Sequence, residues 1–106
     1  MWVMLNDSYL SIVQHKGKPG VLLVRSRIEG DIQRAIPSAE VYEISDADYR
    51  YRADVPRDTV KASMSAAVDR IDYGNFKNSV KDHARHSAYM GVWSVIAKAF
   101  GAYGSD

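Results

Sequence analysis

SYLSIVQHKGKPGVLLVRSR, Ser8 to Arg27, is two apolar-rich runs joined by a reversal. At its centre KGKPG, Lys16 to Gly20, offers two glycines able to take positive φ and a proline with no N–H for a ladder. Tyr9 to His15 and Val21 to Arg27 are therefore expected to pair as an antiparallel hairpin. Working outward toward the start, MWVML breaks at Asn6-Asp7 and predicts one more strand, entered through a turn or bulge.

Beyond the hairpin, Gly30 and Asp31 open a helix of barely two turns, DIQRAI, with Ile32, Ala35 and Ile36 on one face and Pro37 ending it. AEVYEI and YRYRADV then read as two strands separated by SDAD. In the second, Tyr49, Tyr51, Ala53 and Val55 alternate with Arg50, Arg52 and Asp54, which predicts one core face and one wet face. After Pro56 the period changes: Val60, Met64, Ala67, Val68 and Ile71 recur at helical spacing. Asp72 to Val80, with Gly74 and two asparagines, predicts a loop anchored by Phe76. The last helix begins near Asp82, carries Tyr89, Trp93, Ile96 and Phe100 as its apolar stripe, and stops at Gly101. Together these elements predict an α+β fold: a four- or five-stranded, mainly antiparallel sheet with two longer helices packed on one face. The expected organisation is a single domain over 1–101 and a flexible tail over 102–106.

Composition narrows the function classes. The chain has 106 residues, 46% hydrophobic and 25% charged, which is the globular average. Its formal net charge of +1 gives no global field to recruit nucleic acid or an anionic membrane. Without cysteine there is no disulfide, thiolate nucleophile or thiolate metal site. MWVML has no basic stretch before it and no long apolar run, so neither a signal peptide nor a membrane span is expected, and the reading is cytoplasmic.

KDHARHSAYMGVW, Lys81 to Trp93, sets His83 and His86 three residues apart. Asp82 suits the N-cap of the last helix, His83 then lies on the first turn, and His86 falls close to the apolar stripe. A zinc site takes about three or four ligands, and Lys81 and Arg85 repel a cation here, so no metal and no cofactor is expected. General acid and base work would need a nucleophile or carboxylate from elsewhere, and no catalytic residue is assigned.

The strand arginines carry more. If Arg25, Arg27, Arg50 and Arg52 share the solvent face of one sheet, they form a local basic surface able to grip phosphate or carboxylate. Glu43, Asp48 and Asp54 compete as cross-strand ion-pair partners worth about 0.2 to 1 kcal/mol each. Tyr49 and Tyr51 fall on the opposite, core side. Lys77 and Lys81 could reinforce such a surface, and with His83 and His86 they complete the candidate binding set.

MWVMLNDSYLSIV, LLVRSRIEGDI, ADYRYRADVPR and IDYGNFKNSVKDHARHSAYMGVW resemble, over nearly the whole chain, a family of small bacterial proteins of unknown function and about this length. The resemblance implies a complete small protein and transfers no activity, cofactor or site residue. The favoured function is a non-catalytic, protein-binding or regulatory module with another protein as partner. A nucleic-acid or phosphate binder using the strand arginines is the alternative, and a small histidine-dependent hydrolase the third reading. Whether the chain is an enzyme is left open with the non-enzyme favoured, and the oligomeric state is not legible.

Overall fold

The computed structural model describes residues 1–101, and the expected tail at 102–106 lies outside them. Two compact units build the chain, Met1–Ile71 and a second that starts at Asp72, and each is described by itself.

Among the described residues, the first unit holds β1 (Trp2–Leu5), β2 (Ser8–Gln14), β3 (Val21–Ser26), α1 (Asp31–Ala35), β4 (Tyr42–Glu43), β5 (Tyr51–Pro56) and α2 (Arg57–Asp69). The strands form one five-stranded sheet in the order β1-β2-β3-β5-β4, with every neighbouring pair antiparallel. The protein thus has an α+β fold with helices packed on an antiparallel sheet.

The KGKPG hairpin forms with Gln14 facing Leu22 and Ser11 facing Arg25. Only one of its two glycines uses the left-handed region: Gly20 has φ 74, whereas Gly17 stays outside it. His15 Nδ1 instead accepts the Gly17 N–H at 3.0 Å, so a local side-chain bond shapes the turn's first half. The turn is also tied to the later chain, because Gly20 accepts from the Arg57 N–H at 3.0 Å where β5 hands over to α2.

The core lies on one face of the sheet. Leu10, Ile12, Val24, Ala53 and Val55 supply the strand side, Ile32, Ala35 and Ile36 come from α1 and its end, and Val60 comes from α2. Each fully buried aliphatic side chain contributes about 1.5 to 3 kcal/mol. Short as it is, α1 places more of its residues in this core than α2 does. Polar contacts hold it down: buried Asp31 accepts the Tyr9 N–H at 2.9 Å and ion-pairs with Arg34, which donates to the Asp7 carbonyl at 2.9 Å.

Three expectations are corrected here. AEVYEI is a strand only at Tyr42–Glu43, because Ala39 closes a turn onto the Ile36 carbonyl while Ala39 and Val41 pack against the core. The core face of α2 ends at Met64, with Val68 and Ile71 exposed, so the helical apolar repeat outruns the sheet it covers. Tyr49 stands before β5 and is absent from the hydrophobic core cluster, so the strict alternation starts at Tyr51.

In the second unit, Phe76–Ser79 is a short helix, α3, rather than loop, capped by the Asn75 side chain accepting from the Asn78 N–H at 3.0 Å. Helix α4 (His83–Phe100) starts at Asp82, whose carboxylate accepts the Arg85 N–H at 2.9 Å, and ends at Gly101 with φ 64. The Phe76 and Tyr89 rings stack with centroids 5.8 Å apart, so Phe76, half-buried, packs on the last helix rather than in the hydrophobic core cluster expected of it. The rest of the expected stripe is not buried: Trp93 is 36% exposed, Ile96 52% and Phe100 78%. The buried residues of α4 are Arg85 and Tyr89, one turn apart, with Arg85 Nη1 donating to the Tyr89 hydroxyl at 3.4 Å.

Candidate functional site

Because α1 and α2 both pack on the Leu10/Val24/Ala53 side, the opposite side of the sheet displays the alternate residues of the same strands. The strand register lines up one row across it: Trp2 opposite Ser11, Ser11 opposite Arg25, Arg25 opposite Arg52, and Arg52 opposite Tyr42. Two arginines therefore stand opposite one another in the middle of the sheet, on β3 and β5. Like charges so placed repel.

Of the expected acidic partners, Glu43 pairs with a strand arginine as expected, and the carboxylates of Asp48 and Asp54 are engaged elsewhere. Glu43 pairs with Arg50 at 3.2 Å. Asp54 takes Lys18 at 2.8 Å, His15 at 3.3 Å and the Tyr42 hydroxyl at 2.9 Å. The Asp48 carboxylate accepts its neighbour's Tyr49 N–H at 2.8 Å, and only its backbone carbonyl meets Arg27, at 3.0 Å. Arg25, Arg27 and Arg52 thus make no salt bridge among the described residues; their partners are the Ser11 hydroxyl at 2.8 Å, the Asp48 carbonyl, and the Tyr49 carbonyl at 3.0 Å. Arg25 Nε is buried without a hydrogen-bond partner among the described residues. An unsatisfied buried donor of this kind costs about 1 to 3 kcal/mol, more when charged.

Tyr49 organises the cluster. The Arg25 guanidinium lies 4.7 Å and that of Arg27 4.6 Å from its ring centroid, a cation–π arrangement that brings both groups to one aromatic. Tyr49 is buried, as expected, but on the other side: the chain bends before β5, and the ring lies with the arginines. Burial first, and then the neighbouring Tyr49, push the Tyr9 hydroxyl above its ordinary value, with Arg27 opposing.

Around Asp54 the shifts follow the ion pairs. The Lys18 hydrogen bond holds the Asp54 carboxyl below the usual carboxylate range, against burial, with Tyr42 and His15 adding to the effect. The same hydrogen bond raises Lys18, and burial followed by the Asp54 contact raises Tyr42. The acid on this face is consequently neutralised, and the net charge left over comes from Arg25, Arg27 and Arg52. Guanidinium does not give up its proton, so the cluster can hold an anion but cannot serve as acid or base.

Of the candidate binding set, the structure gathers Arg25, Arg27 and Arg52. Arg50 is exposed, bound to Glu43, with its guanidinium 5.9 Å from the Tyr51 ring. The remaining four belong to the second unit. Lys77 stacks over Trp93 at 4.6 Å, Lys81 donates to the Asn78 carbonyl at 3.0 Å, His83 is exposed and His86 half-buried. Among the described residues no group of three or more His, Cys, Asp and Glu side chains converges, and no helix is long and apolar enough to cross a membrane. Ser11 and Tyr42 escaped the sequence reading, and Trp2, by that reading a packing residue, is exposed. Counting outward from KGKPG would have found Ser11 opposite Arg25, but no local signal sets β3 against β5.

No family model, curated protein or solved structure matches the chain.

Proposed function

We propose that the protein is a non-catalytic binding module whose working surface is the sheet face opposite α1 and α2, and that this face takes an oxyanion, a phosphate or a carboxylate, carried by its partner. The observation that supports this reading is the direct opposition of Arg25 and Arg52 with no carboxylate for either among the described residues. Such an arrangement raises the energy of the empty face and is relieved by an anion between the two groups. A planar, multiply donating fork suits both anions. The hydrolase reading has less behind it, since His83 is exposed and neither it nor His86 makes an ion pair with a carboxylate among the described residues.

The test follows the arginine Nε–H signals by NMR during titration with inorganic pyrophosphate at fixed ionic strength. Saturable shifts at Arg25 and Arg52, lost when both are changed to Gln, are expected. A non-saturable response, or one unaltered in the variant, overturns the reading.

A further inference from the structure

The row that crosses the sheet has an exposed aromatic at each end. Trp2 is 73% exposed on the edge strand β1, and Tyr42 is 43% exposed on the opposite edge strand β4. Strand spacing places Trp2 about 10 Å from Arg25 and Tyr42 about 5 Å from Arg52, so the row runs aromatic, guanidinium, guanidinium, aromatic over about 19 Å. An exposed aromatic ring offers a flat π face on which a base can stack.

From this order of chemistry we infer that the oxyanion is the phosphodiester of a single-stranded nucleic acid, with bases stacked on Trp2 and Tyr42 and the intervening phosphates on Arg25 and Arg52. The inference rests on the oxyanion reading above and adds the ligand. Three features favour it. A single strand alternates flat π faces with phosphates and leaves those faces free, whereas a duplex hides them inside its stack. The carboxylate that would repel a phosphate, Asp54, is held by Lys18 and His15. The Tyr42 hydroxyl is fixed by Asp54 at 2.9 Å, and the Arg25 and Arg27 guanidiniums lie against Tyr49, so aromatic and cation are ordered before the ligand arrives. With the net charge at +1, binding depends on this local row rather than on a field of the whole chain.

The test is a fluorescence-anisotropy titration of a labelled single-stranded oligodeoxynucleotide with the full chain at several salt concentrations. Affinity should fall with salt at a log–log slope of about −1.4, two phosphates at about −0.7 each. Trp2→Leu, which keeps an apolar residue at this exposed position, should weaken binding about 5- to 150-fold, the loss of one stacked base. Arg25→Gln with Arg52→Gln should remove most of the slope, and a duplex of the same sequence should bind at least about tenfold more weakly. Circular dichroism and unfolding midpoints confirm that the variants fold, and Tyr42→Leu repeats the stacking test at the other edge should Trp2→Leu not. Two results overturn the inference: equal affinity of Trp2→Leu and Tyr42→Leu with wild type, or an oligonucleotide that binds no tighter than pyrophosphate or an acidic peptide while pyrophosphate still shifts the Arg25 and Arg52 signals. In the second case the oxyanion reading stands; loss of the pyrophosphate response as well removes both.

Discussion

Arg25 on β3 and Arg52 on β5 face one another directly across the sheet, and each donates to a neutral oxygen rather than to a carboxylate. Cross-strand like charges cost roughly what opposite charges gain, about 0.2 to 1 kcal/mol. Arg52→Gln relieves that repulsion and keeps an N–H donor near the Tyr49 carbonyl. Its unfolding free energy should therefore stay within about 1 kcal/mol of wild type or rise, while pyrophosphate affinity falls. Urea denaturation beside the NMR titration checks this, and destabilisation beyond about 2 kcal/mol would make Arg52 a structural residue.

Asp54 gives a pH dependence with a definite sign. Its carboxyl is held below the ordinary value, chiefly by the Lys18 hydrogen bond. A lowered folded-state pKa contributes stability that is present above the unfolded value and lost as pH falls through the folded one. Between about pH 6 and pH 2 wild type should lose more stability than Asp54→Asn, which has no charge to lose, and the gap should appear only at the acid end. Urea midpoints across that range measure it. Parallel pH curves for the two proteins would show that the Lys18 and His15 contacts contribute nothing to folding.

The sequence shows plainly what is decided within a few residues. KGKPG, the Gly30 entry to α1, the Asp82 cap and the Gly101 stop all stand where their local chemistry puts them. What depends on distant partners is not legible. AEVYEI has strand composition, but whether an edge segment pairs depends on what its neighbours leave open, and only Tyr42–Glu43 pair. Tyr49 continues the alternation of β5 in sequence and leaves it in space, because two guanidiniums on β3 and just beyond it attract the ring. The arginine cluster was half legible: residue types and alternation mark the four strand arginines, while the register that joins Arg25 to Arg52 and leaves Arg50 to Glu43 is a long-range fact.

Helix α4 tests the difference between apolar and buried. Its periodicity marks Trp93 as a core residue, for which Trp93→Ala would cost about 3 to 5 kcal/mol. With Trp93 at 36% exposure, against a fully buried Ile32, the loss should fall below that range. Ile32→Ala, by contrast, empties a fully buried site between α1 and the sheet and should cost about 2 to 5 kcal/mol. Urea unfolding of both variants ranks them, and a Trp93 loss equal to that of Ile32 would place the tryptophan in a core.

The N-cap of α4 can be isolated from its burial. Asp82 is exposed, so its contribution is confined to the Arg85 N–H that its carboxylate accepts and to its charge at the positive helix end. Asp82→Ala removes both and should cost about 0.5 to 2 kcal/mol; Asp82→Asn keeps the acceptor oxygen and should recover most of it, the remainder being the charge effect of about 0.3 to 1 kcal/mol. Amide hydrogen exchange over the first turn of α4 reads the loss locally. Faster exchange at Arg85 and His86 in Asp82→Ala, with Asp82→Asn between it and wild type, is the expected order. If the two variants exchange alike, the charge rather than the hydrogen bond holds the helix start.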